Sequence, residues 1–333
     1  MDAGSGTRWA FRVASRPEDG GGHVARCLTL ADALAALGHH VTFVLDDAGM
    51  HWKAHIAGRG HGCGSVSATL REAADGSLLD GYNFADTEIY AWRECSGVMV
   101  AMIDHQDVPR WADLVVAPGL PAGRSPVSAA RILAGLDYAL IDPRLIGAEP
   151  RTIPENVKNV LVSFGQRDSK NATGLVLDAL EHAAGLRPAG AAITIALGGL
   201  AVHRAAVESR ARGQAGVSFQ ADADMIKCYA QADLVIGGGG LGLLERMAAG
   251  LPSISIVLAD NQQRQIEVCA AAGGTLNMGP IGDVDVKTLA DAVDTLARSA
   301  ARRAAMSAAA RRAVDGAGAR RVAKAMVEYL HVH

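Results

Sequence analysis

The chain, 333 residues long, predicts an α/β protein of two Rossmann-like domains facing one another across a cleft. Three observations predict it. Short apolar segments alternate with segments of helical period, several of the apolar segments end in glycine runs, and the whole pattern restarts after a proline-bearing stretch. The length agrees, at roughly 100–200 residues per domain.

The opening elements are the clearest. Trp9–Ala14 reads as a strand and Ser15–Gly22 as a polar, glycine-rich turn. His23–Leu37 then places Val24, Cys27, Leu28, Ala31, Leu34 and Ala35 at helical spacing, with Gly38 as its cap. Val41–Leu45 is a second strand, closed by Asp46-Asp47. Further strands are expected at Val98–Ile103, Leu114–Ala117 and Ala139–Ile141, while residues 48–96 carry no clear period. Pro143, Pro150 and Pro154 mark a linker, which divides the chain into domains at 1–145 and 155–333. The second half repeats the opening. Asn159–Phe164 is a strand and Thr173–Ala184 a helix. Strands at Ile193–Leu197, Leu234–Ile236 and Ser253–Leu258 follow, and helical segments near 284–296, 300–315 and 319–330 end the chain.

Composition narrows the function classes. Half the residues are hydrophobic and the net charge is −3, so nothing marks a nucleic-acid or anionic-membrane binder. The five cysteines form no C-x-x-C pair, which fits packing residues in a reducing compartment rather than a disulfide framework or zinc site. With no secretory signal and no apolar run of about 20 residues, a cytoplasmic protein without a membrane span is expected. No metal or cofactor is expected, because the histidines lack partners at ligand spacing.

Three constellations carry chemistry. Gly20-Gly21-Gly22-His23 joins the first strand to the first helix; the turn and helix start suit a phosphate, and the imidazole suits proton transfer near neutral pH. A structural hydrogen bond is the competing reading for His23. Gly237–Gly240 exposes consecutive N–H groups to an anion, and Glu245 follows within two helical turns, as a ribose ligand or as a dipole-favoured glutamate. Asp260-Asn261-Gln262 follows the strand that ends at Leu258, to read sugar polar groups or to cap a helix. Asp46-Asp47 mimics the acidic ribose ligand of a dinucleotide site, but the glycines do not match G-x-G-x-x-G.

The order of these segments resembles the pseudaminic-acid pathway UDP-sugar hydrolases, relatives of the MurG glycosyltransferases. The resemblance rests on Gly20–Ala31, Asp80-Gly81-Tyr82, Leu136–Pro143, Val162–Asn171, Ile236–Glu245 with Gly250-Leu251-Pro252, Val257–Gln262 and Asp315–Arg321. It implies a GT-B fold and hydrolysis of the anomeric C–O bond of UDP-2,4-diacetamido-2,4,6-trideoxy-β-L-altrose, supplying sugar for flagellin or surface glycans. It implies His23 as the base and Tyr82 as its catalytic assistant. The implied substrate contacts are Gly21, Gly22, Arg26, Gly165, Gly238, Gly239, Gly240, Leu241, Glu245, Asn261 and Gln262. Leu241, Gly242 and Leu243 stand where that family carries small hydroxyl residues, and residues 49–96 match it only at Asp80–Tyr82. An inverting UDP-sugar glycosyltransferase on the same fold is the alternative.

Overall fold

The computed structural model describes residues 6–66, 74–104, 108–121, 131–147 and 149–332. The amino-terminal residues on which the absence of a secretory signal was read lie outside them. In chain order the elements are β1 (Arg8–Val13), α1 (Gly22–Ala35), β2 (His40–Leu45), α2 (Lys53–Gly58), β3 (Gly62–Ser65), β4 (Ala74–Asp80), α3 (Asp86–Cys95), β5 (Ser96–Met102), β6 (Leu114–Ala117) and β7 (Arg131–Ala134). They continue with β8 (Asn159–Ser163), α4 (Ala172–His182), β9 (Ala192–Leu197), α5 (Arg204–Arg212), β10 (Val217–Ala221), α6 (Met225–Gln231), β11 (Leu234–Gly237), α7 (Leu241–Ala248), β12 (Ser253–Val257), α8 (Asp260–Ala271) and β13 (Leu276–Pro280). Three helices close the chain: α9 (Val286–Ala297), α10 (Ala300–Ala313) and α11 (Gly318–Val332).

The chain divides into two compact units, one formed by Met1–Ile141 with Gly316–His333, the other by Asp142–Asp315. In the first, seven strands lie in the order β3-β2-β1-β4-β5-β6-β7. All the pairings are parallel. In the second, six parallel strands lie in the order β10-β9-β8-β11-β12-β13. Both sheets start at an inner strand, wind outward to one edge, and return to the other side of that inner strand. The switch points are therefore β1/β4 and β8/β11, where ligands of such sheets bind beyond the carboxyl ends.

The domain boundary expected at the carboxyl end is corrected. α11 does not belong with residues 155–315: its Val322, Ala323 and Met326 are buried in one core with Leu30 and Leu34 of α1. Arg321 donates to the Asp137 carbonyl at 2.9 Å. Gly318 lies against the 138–139 backbone so closely that a Cβ would come 2.2 Å from the Ala139 carbonyl oxygen. An apolar helix face can dock on any sheet of matching polarity, and chain order does not say which.

Ala139–Ile141 is extended but unpaired with any strand, correcting the strand expected there. Its three residues are buried without a partner strand to complete a ladder. The weakly periodic stretch before Gly97 holds β3, β4 and α3. β4 is buried on both faces from Gly76 onward, so it shows no alternation that a period of two could reveal. Among the described residues no helix is long and apolar enough to cross a membrane.

Candidate functional site

At the first switch point, β1 gives way to a turn that starts α1. Gly20 takes φ 72°, a left-handed conformation that glycine adopts without a Cβ penalty. Gly21 lies against the Trp52 ring, 3.2 Å from where a Cβ would stand, whereas Gly22 faces open space. Asp46 braces the same turn. It accepts from Arg12 Nη2 at 2.8 Å and from the Ser15 amide at 3.1 Å. It is neither a solvated strand end nor a free ribose ligand, because the buried Arg12 needs its charge.

His23 is therefore delivered in the first turn of α1, and it is buried. Asp80, the last residue of β4, is fully buried beside it, with Oδ1 2.6 Å from His23 Nδ1. A carboxylate only accepts, so Nδ1 carries a proton, and in the neutral form of the ring it is Nε2 that keeps the lone pair. The Asp80 side chain thus sets the tautomer that a general base acting through Nε2 requires.

Arg26, one turn further along α1, clamps this arrangement. Its Nε and Nη2 donate to Asp80 at 2.7 and 2.6 Å, and Nη1 and Nη2 donate to Asp104 at 2.7 and 3.0 Å. Arg26 Nη2 also lies 3.2 Å from His23 Nδ1, but its protons are spent on the two carboxylates. Burial pushes the Asp80 carboxyl up, yet the charge of Arg26 and the hydrogen bonds from Arg26 and His23 outweigh it and hold the group well below the usual carboxylate range. Asp104 is likewise pushed up by burial and held low on balance, chiefly by Arg26. Arg26 was expected to contact substrate; its guanidinium instead joins two carboxylates. Tyr82 is 47% exposed and donates to Asp104 Oδ2 at 2.6 Å. Its ring stands edge-on to His23, with centroids 5.2 Å apart. Asp80, Asp104, Arg26, Tyr82 and His23 thus form one connected network.

Asp80 and Asp104 complete this network, and the sequence reading named neither as a site residue. Both follow apolar segments, Asp80 as the last residue of β4 and Asp104 two residues beyond β5, where a carboxylate is a usable signal; without knowing that β4 adjoins β1, that signal had no partner.

The second switch point is built differently. Gly237 ends β11, and Gly240 takes φ 80° just before α7. The loop amides are occupied by glutamine side chains of α8. Gln262 Oε1 accepts from Gly239 N–H at 3.3 Å and Leu258 N–H at 3.1 Å, and Gln265 Oε1 accepts from Gly240 N–H at 2.6 Å. Gln262, expected to read the sugar, is here seated on the glycine loop. Asn261 is exposed one residue away. Neither Asp260 nor Asn261 caps α8: the cap is Ala259, without a side-chain hydrogen bond.

Leu241 is half-buried in the first turn of α7, while Leu243 is fully buried. Leu243 therefore belongs to the core rather than to the loop surface. Glu245 is half-buried, and its Oε2 accepts from Tyr229 at 3.3 Å. Burial raises its pKa above the ordinary glutamate value, against the lowering effects of Tyr229 and Arg246. Gly165 follows β8 with φ 80° and is exposed. Nearby, Asp168 caps α4 by accepting from Ala172 N–H at 2.8 Å and Thr173 N–H at 3.0 Å.

No family model matches the chain. Over 151 residues it is 27% identical to the spore coat polysaccharide biosynthesis protein SpsG of Bacillus subtilis (strain 168). That match covers 45% of this chain and 44% of SpsG, so it spans less than half the length of the relative. Among solved structures, MurG of Acinetobacter baumannii superposes with a TM-score of 0.66 at 17% identity, covering 97% of this chain and 99% of that one. The spinosyn forosaminyltransferase SpnP superposes with a TM-score of 0.68 at 14% identity, covering 98% and 100%. The fold is thus the α/β fold of two parallel sheets that GT-B glycosyltransferases have.

Proposed function

We propose that this chain hydrolyses the anomeric C–O bond of a UDP-sugar, with UDP-2,4-diacetamido-2,4,6-trideoxy-β-L-altrose the substrate that the sequence resemblance favours. The observation that carries the reading is the buried His23–Asp80 pair at the β1/β4 switch point. His23 Nε2 takes a proton from water as the water oxygen bonds to the anomeric carbon. The C–O bond on the opposite face breaks, its electron pair leaves on UDP, and the sugar is released with inverted configuration. Tyr82 orients the water or sugar from its place beside the His23 ring. In the second unit, Gly238, Gly239 and Gly240 bind the diphosphate through backbone N–H groups, with Gly165 near it at the end of β8. Glu245 takes the ribose, Asn261 and Gln262 the sugar, and Gly21, Gly22 and Leu241 line the substrate. The free sugar then serves a glycan, in keeping with the polysaccharide-biosynthesis role named for SpsG.

The glycosyltransferases that share this fold suggest a second reading, in which a sugar hydroxyl replaces water and the chain is an inverting glycosyltransferase. Pure protein mixed with the UDP-sugar separates the two. Stoichiometric UDP and free sugar without an acceptor is the expected result; UDP release that appears only with an added acceptor establishes transfer, and no release with any UDP-sugar refutes both.

A further inference from the structure

Arg246 lies on α7 beneath the glycine loop and is 2% exposed. Its Nη2 donates at 2.9 Å to the Gly238 carbonyl and at 3.1 Å to Ser255 Oγ on β12. Both acceptors are neutral, and its equally buried Nε meets no acceptor. Gly237 provides the room: a Cβ there would stand 2.9 Å from Arg246 Nη1. Burial pushes the guanidinium below the ordinary arginine range, against the raising influence of Tyr229, Cys269 and Glu245. A buried cation whose hydrogen bonds go to neutral oxygens is costly, and a shorter apolar side chain would fill the core at less cost.

We propose that Arg246 is a positioning residue, which fixes the 238–239 peptide and lends its charge to a diphosphate held on the glycine loop. The inference rests on reading that loop as a diphosphate site. In a planar trans peptide the carbonyl and the following N–H point in opposite directions. By gripping the Gly238 carbonyl, Arg246 aims the Gly239 N–H away from itself. That N–H meets the Gln262 Oε1 oxygen at 3.3 Å, the position a phosphate oxygen would take. The guanidinium thus acts from the far side of the loop, through one peptide dipole and through its own field, in a setting where water does not screen it.

The test titrates the full-length protein with UDP, uridine and inorganic pyrophosphate. Arg246→Met is expected to weaken UDP and pyrophosphate by about 10–100-fold, the worth of one charged hydrogen bond, and to leave uridine within about twofold. Arg246→Lys, which keeps the charge, is expected to recover most of that loss. An unchanged ratio of UDP to uridine affinity in Arg246→Met overturns the proposal, because a merely structural role would move both ligands together. If Arg246→Met does not fold, Ser255→Ala removes one of the two neutral acceptors. It should then lower UDP and pyrophosphate affinity several-fold with uridine unaffected, and equal affinities would overturn the proposal. A wild-type protein that binds pyrophosphate but not UDP refutes the nucleotide-sugar reading and leaves Arg246 to be judged on pyrophosphate. One that binds neither refutes both.

Discussion

The two switch points occupy equivalent places in their sheets and are equipped in opposite ways. At β1/β4 the polar groups are side chains in one network: the His23 imidazole with the charged Asp80, Arg26 and Asp104. At β8/β11 they are backbone amides of a glycine loop, met by neutral glutamine oxygens. The difference teaches what each task demands of a sheet. On the proposed reading, moving a proton needs one nitrogen with a set tautomer, which the buried Asp80 carboxylate enforces. On the same reading, holding a diphosphate needs several converging N–H donors, which a glycine run supplies with no side chain to place.

Removing the base itself tests the contrast most severely. His23→Ala should lower UDP release from the UDP-sugar by about 10²–10⁴-fold, with binding of UDP unchanged; a loss under tenfold would show that the base lies elsewhere. Asp80→Asn comes next. It leaves the ring in place but replaces a group that only accepts by an amide that can turn its NH2 toward Nδ1, so the tautomer is no longer set and turnover should fall by about 10³-fold or more, as for the aspartate of a hydrolase triad. It also deprives buried Arg26 of a carboxylate, a change that costs about 3–5 kcal/mol in comparable buried pairs, read as a lower midpoint in urea. The sign with pH follows from the lowered Asp80 value. A carboxylate held below its unfolded value of about 3.9 contributes stability that is complete above that value and lost as pH falls through the folded one. The difference between wild type and Asp80→Asn should therefore narrow on acidification below about pH 4.

Glu245 offers a smaller effect of opposite sign. Its folded value is raised, so stability declines as pH rises from about 4.3 through that value. Glu245→Gln should raise the thermal midpoint at pH 8 by roughly 2–4 °C, change it little at pH 4, and weaken UDP binding several-fold. A variant with unchanged UDP affinity would remove Glu245 from the ribose. The least effect is expected from Gln265→Ala. Freeing the Gly240 amide should cost about 1 kcal/mol of stability while tightening pyrophosphate binding slightly, since the phosphate no longer displaces the Gln265 oxygen.

Much of this is legible in the amino-acid sequence. The strand–glycine turn–helix opening, the two glycine loops and the alternation that makes two parallel sheets are local patterns, and the elements β1, α1, β2, β8 and β12 stand within a residue or two of where the spacing placed them. His23 was singled out by its place after three glycines. What tertiary structure alone decided is the set of partners. Asp80 lies 57 residues from His23 and Asp104 lies 78 from Arg26, and only the pairing of β1 with β4 and of β4 with β5 brings them together. The same holds for α11, whose apolar face returns to the first core after the chain has built the second. Sequence period encodes which face of an element is apolar. It does not encode which other element covers that face, because hydrophobic burial is non-directional and the choice is made by packing across the whole chain.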